Sequence, residues 1–193
     1  TLGGGSVEGQ SNRAIFLAGR GFRGGGGITA STNGNDSEWR STANANGINN
    51  SGQVVGTAKI AGDTADPAFR TAPNRAIDPL TDNLGTLGGA FSRGSAINDA
   101  GQVVGTAATA DVGPFASTVS RAFRADPGVP MIDLGTLAPS GGINGFNNSG
   151  ANAINGAANV VGFATVPADS CGSSSHAFRT FADALINPAV GNL

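Results

Sequence analysis

Cys171 and His176, each the only residue of its type among the 193, are of kinds that could carry reactive chemistry. Their Cys-x4-His spacing offers two ligands where a structural zinc site takes four. A Cys-His nucleophile pair would need an activated thiolate, and no neighbouring residue supplies the activation. Pro67 and Arg121 occupy the position of His176 in two related segments, and a position that accepts Pro, Arg and His is not a catalytic one. The carboxylate pairs Asp63 with Asp66 and Asp36 with Glu38 could suggest calcium or a glycosidase couple. No Asp-x-Asp-x-Asp-Gly run gathers the six or more oxygens that calcium needs, and sequence spacing cannot show two carboxylates across a cleft. Gly24 to Gly27 lack the Gly-Lys-Ser/Thr of a phosphate loop. The reading is therefore non-enzymatic, with no catalytic, metal-binding or cofactor-binding residue expected.

Charge points the same way. Only 12% of the residues are charged and the formal net charge is −2. With no basic run, a nucleic-acid partner is not expected. No stretch has the length of a membrane-spanning helix, and no secretory signal is visible. The chain opens on Thr1 and holds one Met, Met131, as a processed, exported chain would, and as a piece of a longer one would. A lone cysteine excludes an intramolecular disulfide framework. Asn35-Asp36-Ser37, Asn49-Asn50-Ser51 and Asn147-Asn148-Ser149 fit the N-glycosylation triplet, a pattern that an Asn- and Ser-rich chain also produces by chance.

The stretch that organises the chain is Ile97-Asn98-Asp99-Ala100-Gly101-Gln102-Val103-Val104-Gly105-Thr106-Ala107. It has a close copy from Ile48 to Ala58 and a looser one from Ile154 to Ala164, at spacings of 49 and 57 residues. Such periods point to stacked or radial repeats. Each copy reads as a β-hairpin: a strand ending in Ile-Asn, a polar turn, then a second strand Gln-Val-Val-Gly-Thr-Ala. Glycine at the fourth turn place can take φ > 0 beside a strand. In the third copy Ala158 stands at that place, which requires another geometry or strain. Adjacent strand side chains point to opposite faces, so each Val-Val pair asks for cover on both sides. The glycine after each pair (Gly56, Gly105, Gly162) predicts close approach of another backbone or a local bend.

Further short strands surround the hairpins. Ala68-Phe69-Arg70, Ala122-Phe123-Arg124 and Ala177-Phe178-Arg179 each follow one, with Phe as the core residue. Thr1-Leu2-Gly3-Gly4 matches Thr86-Leu87-Gly88-Gly89 and, more weakly, Thr136-Leu137. In the second copy 11 residues separate that Thr from the hairpin Ile and in the first copy 47, so 36 residues are inserted there. The insertion holds Arg13-Ala14-Ile15-Phe16-Leu17 as a candidate strand and the only tryptophan, Trp39, as its expected anchor on the core. One unit is then four short strands in about 50 residues, the size of a propeller blade. Gly at 32 residues and aromatics at 6% suit many turns and short strands, not a helix bundle.

The order Asp-Leu-Gly-Thr-Leu, Ile-Asn-x-x-Gly-Gln-Val-Val-Gly and His-Ala-Phe resembles the HAF repeat of bacterial extracellular proteins. The resemblance covers residues 48 to 193 and, before them, only the Thr-Leu-Gly-Gly. The family pattern follows Ala-Phe with an apolar residue and Trp, where this chain has Arg70, Arg124 and Arg179. The resemblance implies a secreted or surface location and repeated β architecture, and implies no activity.

The expected fold is all-β, in tandem four-stranded repeats, propeller-like or a related β-stack, as one repeat-built domain over 1–193. Its units run 1–83 (with the long insertion), 84–133 and 134–193. The final Asn192-Leu193 resembles Asn83-Leu84, so the two ends are nearly in phase; they could close a ring within one molecule or meet head to tail between molecules. The expected function is a non-enzymatic extracellular structural protein, self-associating through the chain ends, in the extended case as a filament subunit. The alternative is a monomeric binding module whose loops 59–66, 108–120 and 165–175 recognise a glycan or a surface partner.

Overall fold

The computed structural model describes residues 39–60, 65–78, 80–112, 118–137, 148–167, 173–182 and 184–188. All regular structure among them is β-strand, as the composition and turn spacing predict. The candidate strand 13–17, the glycine tract 24–27, Asp36, Glu38, Asp63, Cys171 and the first glycosylation triplet lie outside the described residues.

Among the described residues, ten strands form three antiparallel sheets. The first sheet holds β1 (Trp39–Ile48), β2 (Val54–Ile60) and β3 (Ala68–Arg70). The second holds β4 (Gly88–Ile97), β5 (Val103–Val112), β6 (Thr118–Ala125) and β7 (Ile132–Gly135). The third holds β8 (Ser149–Ile154), β9 (Val160–Pro167) and β10 (Ser173–Arg179), with β9 in the middle. The three copies of the Asn-x-x-x-Gln/Asn-Val-Val stretch fall at corresponding places, one hairpin per sheet. None of the three sheets closes on itself among the described residues.

The turns form as their residues dictate. Asn49 Oδ1 accepts from Gln53 N, and Asn49 N donates to Gln53 O, at 3.0 and 3.1 Å. The second turn repeats this at Asn98 and Gln102, and the third at Asn155 and Asn159. Gly52 and Gly101 sit at φ 78° and 79°, and Ala158 keeps the same geometry at φ 59°. The third turn is thus strained and not rebuilt. An L-residue held there costs about 1 kcal/mol relative to glycine.

The glycine after each valine pair has a steric task. A Cβ on Gly56 would collide with Asn44 O and meet the Phe69 ring; Gly105 stands in the same relation to Arg93 O and Phe123, and Gly162 to Gly150 O and Phe178. The opposing strand bulges beside each of them, between Ala45 and Gly47, Gly94 and Ala96, and Ala151 and Ala153. A bulge pushes its carbonyl toward the partner strand, and only glycine leaves room for both that oxygen and the ring.

One strand joins a different neighbour than the sequence order suggests. The Asp-Leu-Gly segment, expected to open a unit, closes the sheet before it: β7 pairs with β6, Arg124 opposite Ile132. Residues 82–84 do the same for the first sheet, where Leu84 N donates to Ala68 O and Arg70 N to Asp82 O. Among the described residues the second sheet gathers four strands and the other two have three. β7 turns Ile132 and Leu134 to one face and Asp133 and Gly135 to the other. It takes the edge left by the preceding Ala-Phe-Arg strand, where Leu134 packs with Val104 and Ala122.

Two apolar layers lie between the sheets. Val55 and Ala68 of the first sheet pack with Val103, Ala107, Phe123 and Ala125 of the second. Val104, Ala122 and Leu134 of the second pack with Ala151, Val160, Ala164 and Phe178 of the third. A third cluster, Ala43, Val54, Ala58 and Phe69, covers the opposite face of the first sheet, with Ala45 and Ile77 against it.

Candidate functional site

The candidate chemistry of the sequence is dispersed. His176 lies half-buried in β10 opposite Ala164, and Arg121 holds the same place in β6 opposite Ala107. Asp66 is exposed, and its backbone bridges to Phe91 of the next sheet. Among the described residues no group of three or more His, Cys, Asp or Glu is placed to hold a metal ion. No helix among them is long and apolar enough to cross a membrane. The loops expected to recognise a ligand are shorter than their sequence suggests. Strands β2, β5, β6, β9 and β10 extend into 59–60, 108–112, 118–120, 165–167 and 173–175.

What the motif residues do is hold one hairpin to the next. Asn49 Nδ2 donates to Gln53 Oε1 within its own turn and to Asn98 O in the next, at 2.9 and 3.0 Å. Asn98 Nδ2 repeats both bonds, to Gln102 Oε1 at 2.8 Å and Asn155 O at 3.0 Å. A ladder of asparagines therefore runs through all three turns. This spends the Asn49 side chain of the second glycosylation triplet on the ladder. In the third triplet Ser149 is fully buried.

Beside the ladder, Asn50 N and Nδ2 donate to the two carboxylate oxygens of Asp99 at 2.9 and 2.7 Å. These bonds hold the exposed Asp99 carboxyl below its ordinary range. A second repeated device is a buried serine. Ser92 Oγ accepts from Ala68 N at 2.7 Å and donates to Gly85 O at 2.5 Å. Ser149 Oγ does the same with Ala122 N and Gly135 O, at 2.9 and 2.5 Å. Alanine, Ala43, stands at this place in the first sheet, since Ala43 pairs with Ala58 as Ser92 does with Ala107 and Ser149 with Ala164.

The three arginines that follow Ala-Phe meet three different surroundings. Arg70 Nη1 crosses to the second sheet, donating to Gly101 O at 2.7 Å and Ala125 O at 3.3 Å. Burial pushes its pKa down, against the charges of Asp126 and Asp82. Arg124 pairs with Asp126, Nε to Oδ1 and Nη2 to Oδ2, each at 3.1 Å. Arg179 lies over the ring of Phe181, 5.3 Å from its centroid.

Arg179 marks a sheet face that, among the described residues, no neighbouring sheet covers. On β2 and β5 the second valine of each pair, Val55 and Val104, is fully buried under the next sheet. Its counterpart on β9, Val161, is 38% exposed and Phe163 is 40% exposed. Ala153 opposite Val161 on β8 and Ala177 opposite Phe163 on β10 are exposed as well. Phe181 and Leu185, each 57% exposed, continue the apolar surface past the end of β10. They help line a groove of about 390 Å³ with Arg179, Ile186 and Pro188. The Val-Val pattern that predicts this side chain arrangement is visible in the sequence; the openness of the face is not. Comparison of the chain with protein-family models, with curated proteins and with solved structures finds no match.

Proposed function

We propose that the chain is a non-enzymatic, extracellular structural protein built of tandem β-units, in a propeller-like arrangement or a related stack, that self-associates, in the reading from sequence through the chain ends. The observation that carries this reading is where the polar groups of the motif go. Asn49 and Asn98 bond to the next hairpin, and Ser92 and Ser149 to the preceding sheet, and not toward a shared pocket. A site for catalysis needs polar groups converging on open space; a stacking protein needs them between units. A filament is the extended form of the same reading if the contact between molecules is repeated without closing. Location outside the cell and the HAF-type identity of the units rest on the sequence resemblance. Negative-stain electron microscopy and sedimentation of the untagged protein test the assembly. Regular fibres or a defined oligomer support the reading, and a monomer at every concentration overturns it.

One observation favours a second reading, a monomeric binding module. The exposed Phe181 ring beside the groove offers a stacking surface that a sugar ring could use. A ligand-dependent rise in melting temperature across a panel of oligosaccharides, with no self-association, would favour it.

A further inference from the structure

We infer that the open face of the third sheet is a two-fold interface, which pairs with the same face of a second copy of this chain. The inference rests on the self-association proposed above and names its surface and symmetry. Inside the molecule the equivalent face is covered twice, each time by another β-sheet. Val55 and Ala68 lie under the second sheet, and Val104 and Ala122 under the third. The chemistry that covers this face is therefore a sheet carrying rows of apolar side chains.

A second copy could bring either of its end sheets, and two features exclude the first sheet as a continuation of the stack. Its outward face is already sealed: Val54, Ala58 and Phe69 are buried to within a few per cent. It also lacks the acceptor that a continued stack uses. Ala68 N and Ala122 N each donate to a serine of the next sheet, and Ala43 puts no oxygen where that serine would stand. The remaining partner is the open face itself. Its centre is apolar: Val161 and Phe163 stand on the central strand β9, with Ala153 opposite Val161 on β8 and Ala177 opposite Phe163 on β10, while Arg179, opposite Val161 on β10, stacks on Phe181 at the edge. Related by a two-fold axis, Val161 and Phe163 of each copy pack against the alanines of the other in the manner of aligned sheet packing, with the arginines at the rim. The contact closes as a dimer, so any fibre of this protein needs a further contact elsewhere.

Sedimentation equilibrium of the natural protein, of Phe163→Glu and of Ala177→Glu tests the surface. The expected result is a dimer whose dissociation constant rises about 30-fold or more in either variant, in line with loss of a central contact, with the far-ultraviolet circular dichroism unchanged. A 1:1 mixture of Val161→Cys and Ala177→Cys, each in a Cys171→Ser background, tests the symmetry. Both positions lie on the same face. Only a contact of that face with itself therefore brings residue 161 of one copy beside residue 177 of the other, giving a covalent dimer on mild oxidation. A head-to-tail contact gives none. A dimer that persists in both glutamate variants overturns the inference and leaves self-association standing, as do fibres lost in those variants without the cysteine cross-link. A monomer throughout overturns both.

Discussion

Phe69 on the first sheet and Phe163 on the third both belong to faces that point away from the second sheet, yet one is sealed and the other is 40% exposed. The two sheets share a hairpin, a turn, a bulge and a glycine after the valines. Their difference lies in what has been placed around the shared parts. The first sheet closes its outer face over Ala43, Val54, Ala58 and Phe69 and reaches into the second sheet through Arg70. The third receives its buried serine bonds from the second sheet and leaves Val161, Phe163 and Arg179 facing outward. Similarly built hairpins can thus sit in a sheet whose outer face is sealed or in one whose outer face is open.

The largest effect that tests this contrast is a pair of truncations. Phe69→Ala opens a cavity in a sealed layer and is expected to cost about 3–5 kcal/mol. Phe163→Ala should cost less than about 1 kcal/mol to the fold of the monomer. Urea denaturation of both at low protein concentration decides it, and equal losses would break the contrast. Next comes the serine device, present at both internal interfaces. Ser149→Ala leaves a buried N–H without its acceptor, at a cost of about 1–3 kcal/mol, and Ser92→Ala should match it within the error of the same measurement.

The third turn offers a smaller and opposite change. Ala158→Gly relieves a φ of 59° and should stabilise by about 1 kcal/mol, while Gly101→Ala should lose about as much. The smallest effect is in pH. The Asp99 carboxyl, held low by the Asn50 N–H groups, contributes stability that is complete above the unfolded carboxylate range and lost as pH falls through its lower folded value. Asp82 runs the other way, because burial raises its pKa and the fold is relieved when it protonates. Asp99→Asn should therefore flatten the fall in melting temperature below about pH 5.

Much of the local structure is legible in the sequence for a physical reason. Asn98 caps its turn with its own side chain and Gly101 adopts a backbone that other residues resist, so both act within five residues. Val103 and Val104 point to opposite faces whatever surrounds them. The collision that forbids a Cβ on Gly105 is less local. The glycine predicts a close backbone, and only the paired strand shows it to be Arg93 O beside a bulge.

The sequence by itself determined an all-β chain of three hairpins, their turn geometry and the two-faced burial that each valine pair requires. Tertiary structure alone decided which neighbour the Asp-Leu-Gly strand joins, that Asn49 and Asn98 reach forward by 49 and 57 residues to the next turn, and that Val161 stays uncovered where Val104 does not. Turn chemistry and strand alternation are properties of a few adjacent residues. Burial is a property of what lies above a side chain, and identical Val-Val-Gly triplets carry no record of whether another sheet follows them.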